Sequence, residues 1–277
     1  MKKIILIFLV ILVLLAAALF ALDKAGYPVF GFIRKDVACI KPYERAVKVL
    51  KAMEFLRIRK DRQAEEILDG ILVLEPDNID ALWGKAEIYR RRYNYAQAKV
   101  LLDKVLRTNL KYYPAMISMA YIEFRSGKFE RAQKMIEGVL KEGCADQDTQ
   151  ALSYVLLGNI CSTRSSKGNL LEKMRFTPYI KPYLDKAMEI SPDLSEVHLG
   201  LGSFYLLAPS LIGGDLDKAI EELEKAYSLA PDFATVNVRL AQAYQLKNNV
   251  KKYEYHLKKA EEIEPDNETL VEFKKSK

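Results

Sequence analysis

Three segments decide the fold: Ala64-Glu65-Glu66-Ile67-Leu68, Ala98-Lys99-Val100-Leu101-Leu102 and Ala132-Gln133-Lys134-Met135-Ile136. Their alanines recur at a constant interval, and each is followed four residues later by Leu68, Leu102 or Ile136. Pro231 and Pro265 are separated by the same interval. A fixed period of about 34 residues marks a chain of stacked supersecondary units. With each alanine at position 20 of its unit, position 8 falls on Ala52, Ala86 and Ala120, and further on Gly158, Gly202 and Ala241 take the same place. All six are small. Position 27 reads Ile71, Val105, Val139, Ala187, Ala226 and Ala260. Apolar residues four apart lie on one helical face, and small residues at two fixed places let two antiparallel helices approach closely. Large residues such as Tyr89, Tyr205 and Tyr244 on the first helix, with Leu102, Leu223 and Leu257 on the second, fill the remaining gap. A single hairpin leaves one apolar face open, so neighbours must stack. The composition agrees: 277 residues, half of them hydrophobic, with only 13 Gly and 10 Pro, favour long helices over a loop-rich β fold.

This pattern resembles the tetratricopeptide repeat family over roughly residues 43–265. Tyr154-x2-Leu157-Gly158, His198-x2-Leu201-Gly202-x2-Tyr205, Ala219-x3-Leu223 and Pro231 match its repeat. The resemblance implies an all-α fold, an α-solenoid of about six helical hairpins. The units fall near residues 45–78, 79–112, 113–146, 151–194, 195–233 and 234–267. Residues 266–277 read as a partial capping helix and tail. Two units exceed the common length. The fourth gains ten residues around Thr163–Asn169, and the fifth gains five around Ala208–Asp215. Both insertions are placed in the turn between the two helices. In the second, Gly213 and Gly214 suit a tight turn and Asp215 suits the N-cap of a helix opening at Leu216. The segment Pro209–Ala226 also looks like the variant repeat of T components of tripartite ATP-independent periplasmic transporters, and this resemblance implies, as an alternative, binding of a solute-binding protein or a hydrophobic ligand.

The N-terminus carries a different signal. Lys2 and Lys3 precede an apolar run from Ile4 to Leu22, nineteen residues long. At about 1.5 Å per residue a helix of that length matches the thickness of a bilayer core. Residues 1–24 are therefore read as a signal anchor, with a cleaved signal peptide as the alternative that Ala16, Ala17, Ala18 and Ala21 leave open. This apolar helix precedes the solenoid, which is expected outside the cytoplasm, membrane-tethered or periplasmic. Residues 25–42 form a linker in which Gly26-Tyr27-Pro28 and Phe30-Gly31-Phe32 are expected to break helix. From Arg34 to Arg62 ten Lys or Arg face four Asp or Glu, a basic excess near the membrane.

Catalytic chemistry finds little support. Two histidines, at 198 and 256, sit in different units, and three cysteines, at 39, 144 and 161, show no CxxC spacing. His198 and Cys161 take core positions, whereas His256 is expected at the surface and the Cys39 and Cys144 thiols in loops or at helix edges. Gly213-Gly214-Asp215 lacks phosphate-loop spacing. Glu221-Glu222 and Glu261-Glu262 are adjacent in sequence and do not face each other on a helix. No catalytic residue, metal or cofactor is expected, and the net charge of +6 is too mild to imply nucleic acid.

What remains is a binding surface. In the family that the chain resembles, first-helix positions 2, 5, 9, 12 and 13 line the concave groove. They map onto Val49 and Met53; Trp83, Glu87, Arg90 and Arg91; Ile117, Tyr121, Phe124 and Arg125; Val155 and Asn159; and Leu199. The resemblance implies a protein or peptide partner. The Lys and Asn set with which chaperone-binding members clamp a C-terminal carboxylate is absent. The groove is instead apolar and aromatic, with arginines in its first half.

Overall fold

The computed structural model describes residues 29–144 and 146–275. The run Ile4–Leu22 and the segment Gly26-Tyr27-Pro28 lie outside them. The chain divides into two compact units, residues 1–50 and residues 51–277. Among the described residues there are thirteen helices and no strand. None of these helices is long and apolar enough to cross a membrane. The helices are α1 (Val29–Arg57), α2 (Asp61–Leu74), α3 (Ile79–Arg91), α4 (Tyr95–Thr108), α5 (Tyr113–Arg125), α6 (Phe129–Glu142) and α7 (Gln147–Lys167). They continue with α8 (Leu170–Ile190), α9 (Ser195–Leu207), α10 (Leu216–Leu229), α11 (Ala234–Leu246), α12 (Val250–Ile263) and α13 (Glu268–Lys275). Helix α1 runs unbroken through Phe30-Gly31-Phe32, against the expectation of a break there. One interior glycine costs about 1 kcal/mol relative to alanine, which a helix of 29 residues absorbs.

Within residues 51–277 the end of α1 pairs with α2, and five further antiparallel hairpins follow in chain order. The small-residue rule is met in detail. Ala52, Ala86 and Ala120 on first helices, and Ala64, Ala98 and Ala132 on second helices, are wholly buried. So are Leu68, Leu102, Ile136 and Leu223, four residues beyond the position-20 alanines. Each core is shared between neighbours: Leu82, Ala86, Ala98, Leu102 and Val105 pack with Ala115, Met119 and Ile122 of the following unit. Gly202 shows how tight the approach is, since a Cβ there would lie 2.6 Å from Leu223 Cγ. Helix α13 closes the stack by laying Leu270 and Phe273 on Val238, Ala241 and Ala260.

Polar side chains start many of the helices. Asn78, Asn94, Asp146, Asn169, Asp215 and Asn249 accept hydrogen bonds from the first-turn N–H groups of α3, α4, α7, α8, α10 and α12. Each satisfies a donor that has no partner inside its helix. The turns inside the hairpins share a feature too. Arg59, Tyr93, Gly127 and Asn248 all adopt a left-handed backbone, with φ of 64°, 58°, 77° and 56°. The first three are separated by the repeat interval, and all four occupy position 15 of their units. Only Gly127 adopts this conformation without crowding its own Cβ.

The two insertions behave differently. The fifth unit's extra residues form the interhelical loop, with one tight turn over Ser210–Ile212, Gly213 at φ 105°, and Asp215 capping α10. Those of the fourth unit do not form a loop. They lengthen both helices to 21 residues each and leave only Gly168 and Asn169 between them. The Ser165–Thr177 hydroxyl contact (2.6 Å) and the bridging of Glu130 and Glu172 by Arg164 hold the added turns together. His256 is also a correction, being 4% exposed rather than on the surface. It lies on the same face of α12 as Tyr253 and Ala260, three and four residues away, and that face points inward. Cys144, in the loop between α6 and α7, is buried as well, while Cys161 and His198 lie in the core as their positions imply.

Candidate functional site

Side chains from the first helices of the second and third units meet around an ion pair. Glu87 on α3 accepts from Arg90 Nε at 3.0 Å and Nη2 at 2.6 Å, one turn further along the helix. Ser118 on α5 donates to the same carboxylate at 2.5 Å and accepts from the indole N–H of Trp83 at 3.1 Å. Burial by itself would raise the Glu87 carboxyl, but Arg90, Arg91 and the Ser118 hydroxyl outweigh it and hold it down to about 2. The Arg90 guanidinium lies 4.3 Å from the centroid of the Tyr121 ring. Tyr121 meets Phe124 edge-on at 6.1 Å, and Phe124 meets Phe129 at 5.9 Å. An aromatic strip thus runs beside a paired arginine.

Other contacts join different units, some of them far apart in sequence. Arg57 donates to the Asp193 carbonyl at 3.0 Å and stands 3.4 Å from Asp148. Arg59 pairs with Glu196 on α9, and its guanidinium sits 3.7 Å over the Phe233 ring. Arg91 binds Asp61 and the Leu56 carbonyl. On the other side, the Tyr93 hydroxyl receives Asn267 Nδ2 and the Glu268 N–H, each at 3.4 Å, and Arg125 pairs with Glu268. Burial, with Arg91 beside it, lowers the Arg59 guanidinium below its usual range. Among the described residues, the buried Nε atoms of Arg59 and Arg91 have no hydrogen-bond partner.

The groove residues expected from the sequence fall into three sets. Trp83, Glu87, Arg90, Arg91, Tyr121, Phe124 and Arg125 come together as described. Ile117 and Val155 are buried in the cores between hairpins, and Leu199 packs half-buried on the Leu223 and Leu240 cluster. Met53 and Asn159 are half-buried along the groove helices. Val49, also half-buried, belongs to residues 1–50. Arg59, Tyr93, Asn267 and Glu268 are additional. The first two stand at position 15, outside the first-helix positions, in the left-handed backbone that they share with the exposed Asn248. Their spacing from Gly127, in whole repeat intervals, is the signal that marks them.

Other titratable groups are engaged inside the fold. His198 contacts Glu222 and the Pro192 carbonyl, both at 2.7 Å, and His256 meets Asn237 Oδ1 at 3.0 Å. Among the described residues, no group of three or more His, Cys, Asp or Glu is placed to hold a metal ion.

Comparison with known proteins bears on these hairpins. A model of the tetratricopeptide repeat matches residues 212–233, which span the second helix of the fifth unit. That match covers most of the segment with the local likeness to transporter T components. The mouse interferon-induced protein with tetratricopeptide repeats 3 is 26% identical over 133 residues. The alignment covers 48% of this chain, and the chain spans 31% of that relative's length. Among solved structures, TTC0263, a thermophilic tetratricopeptide-repeat protein of Thermus thermophilus, superposes with a TM-score of 0.55 at 18% identity. It covers 72% of this chain and 97% of its own. The human IFIT1 dimer with PPP-AAAA gives a TM-score of 0.57 at 16% identity over 87% of this chain and 58% of that one. One matched repeat, and a succession of hairpins shared with these structures, give the chain the fold of tetratricopeptide-repeat solenoids.

Proposed function

We propose that the chain is a non-enzymatic interaction scaffold whose groove takes an apolar segment bearing Asp or Glu. The observation that carries this reading is the aromatic strip Tyr121–Phe124 set beside Arg90, Arg91 and Arg125. Tyr and Arg are prominent among residues that dominate binding energy, because they give contact area and directed hydrogen bonds at modest entropic cost. The groove is already spanned by Arg59–Glu196 and Arg125–Glu268, so an incoming carboxylate competes with Glu196 and Glu268 for their arginines. On this reading the Ile4–Leu22 run tethers the scaffold to a membrane of the cell envelope, with the repeats outside the cytoplasm.

The test is capture of partners with the full-length chain, followed by calorimetry with the synthetic segment that is identified. Tyr121→Ala is expected to weaken binding by about 2 kcal/mol. Arg125→Ala is expected to act mainly on salt dependence and association rate. Affinity unchanged by both substitutions, in chains that melt normally, would move the site elsewhere. A second reading rests on the orphan Nε atoms of Arg59 and Arg91, which suit a phosphate as well as a carboxylate. The human IFIT1 dimer was solved with PPP-AAAA, and the mild net charge does not speak against a local anion site. Binding of a 5′-triphosphorylated oligonucleotide, weakened by Arg59→Ala and absent with its 5′-hydroxyl form, would favour this reading over the peptide.

A further inference from the structure

The lengthened fourth hairpin carries a surface that the groove does not use. On α8, Leu171, Met174, Pro178 and Pro182 fall at i, i+3, i+7 and i+11 and are all exposed, which makes one apolar stripe along the helix. Leu170 joins it at the tip. Leu170, Leu171 and Met174 are 72%, 76% and 69% exposed; the two leucines protrude at the tip, and Met174 and Pro178 form part of the wall of a neighbouring cavity. Lys167, Lys173 and Arg175 stand among them. Among the described residues Lys167 and Lys173 form no ion pair, and Arg175 meets the Phe176 ring, 5.3 Å away. The nearby carboxylates are spent, Glu130 and Glu172 on Arg164 and Asp185 on Lys181. Beside the stripe opens a cavity of about 550 Å³, whose walls include Leu157, Ile160, Phe176 and Tyr183, with Arg175 also among its lining residues.

We propose that this hairpin tip docks on an anionic lipid bilayer, with Leu170, Leu171 and Met174 entering the interface and Lys167, Lys173 and Arg175 meeting the headgroups. Charge selects the occupant. A second copy of the chain in a two-fold contact would set the three cations against their equals. The chain's own apolar run lies between Lys2-Lys3 and Asp23-Lys24, so its flanks bring no net negative charge. Long cationic stems lie along apolar surface while their heads stay wet, which matches cations interleaved with leucines. Pro178 and Pro182 lack N–H groups, so the carbonyls of Met174 and Pro178 lose their intrahelical donors. Unsatisfied carbonyls are costly in hydrocarbon, so the helix stays at the hydrated headgroup level.

The test uses the full chain with a polarity-sensitive dye, because its N-terminal run makes bulk membrane binding uninformative. Ser166→Cys places a thiol at the tip, Val100→Cys is the control on α4, and both carry Cys39→Ser and Cys161→Ala, because Cys161 lines the neighbouring cavity. Cys144 is buried and its thiol pushed up, so the label goes to the introduced cysteine. A blue shift at 166 but not at 100, in phosphatidylglycerol-containing vesicles but not in pure phosphatidylcholine, is expected. Leu171→Glu with Met174→Glu should abolish it. Replacing Lys167, Lys173 and Arg175 by Gln should lower the partitioning of the tip by roughly a factor of five for each cation. No shift at 166 in either vesicle, an equal shift in phosphatidylcholine, or a concentration-dependent shift without lipid would each overturn the proposal. The last outcome would identify a second copy as the occupant.

Discussion

Backbone conformation at position 15 gives the cleanest single-residue test. Gly127 has φ 77° and Gly70 lies within α2, and a Cβ at either meets nothing within 4 Å. Packing therefore cancels and only backbone conformation remains. Gly127→Ala is expected to lose about 1 kcal/mol in urea unfolding, because the left-handed region crowds a Cβ. Gly70→Ala should gain about 0.5–1 kcal/mol as an ordinary helix substitution. Equal effects would mean that the turn does not hold its left-handed residue in solution. His256 supplies a pH test. Asn237 Nδ2 donates to the Pro231 and Phe233 carbonyls, so its Oδ1 faces His256 and accepts from Nδ1–H. Tyr227, Tyr244 and Tyr255 surround the ring, with Glu224, Lys252 and Lys259 the charges near it. Burial lowers the imidazole to about 4, with Lys252 and Lys259 adding to the effect and Glu224 opposing it. The unfolded chain then binds a proton near pH 6.5 that the folded chain refuses until about pH 4, so stability falls as pH drops through that window. The loss is of order 3 kcal/mol, and His256→Gln should remove most of it from the difference between melts at pH 7 and pH 4.5. An unchanged pH slope would refute the assignment.

At the scale of an element, hairpin register is tested by overpacking. Ala98 is wholly buried between α3 and α4, and Ala98→Leu is expected to cost about 1–3 kcal/mol. Val100, two residues on and 68% exposed, is the control, and Val100→Leu should be near neutral. Lys99 would be a poor control, because it bonds the buried Glu123 at 3.1 Å. That contact shows where reading by position stops. Repeat spacing tells which residues face inward, but it does not tell which outward-facing lysine reaches a carboxylate on the next unit. The fourth hairpin makes the same point. Ten extra residues are countable in the sequence, yet a Gly168-Asn169 turn flanked by helix-forming residues leaves loop and longer helix equally readable. Contacts across the added turns decide for the helix.

For the molecule as a whole, the groove-spanning pairs are the feature with consequences. Arg59 and Glu196 are 137 residues apart in sequence, with side chains only 11% and 17% exposed. Removing one partner leaves the other charge buried, which costs roughly 3–5 kcal/mol. Glu196→Ala is therefore expected to destabilise residues 51–277 by about that amount. Arg59→Ala with Glu196→Ala should cost clearly less than the two single losses added together. Additive losses in a double-mutant cycle would show that the pair does not form in solution, and that the groove stands open at this point.

The hairpin fold and the small-residue core positions were determined by the sequence alone. Each follows from interactions within a unit or between neighbours, and a constant repeat interval imposes those constraints again and again until they are legible. The left-handed turn positions were equally legible in that period, through Gly127. Which units meet across the groove was decided only by the tertiary structure. Each unit turns slightly relative to the last, and the sum of those turns sets whether Arg59 reaches Glu196 or Tyr93 reaches Asn267. No local spacing encodes such a sum, because every side chain that packs between two units contributes a little to it.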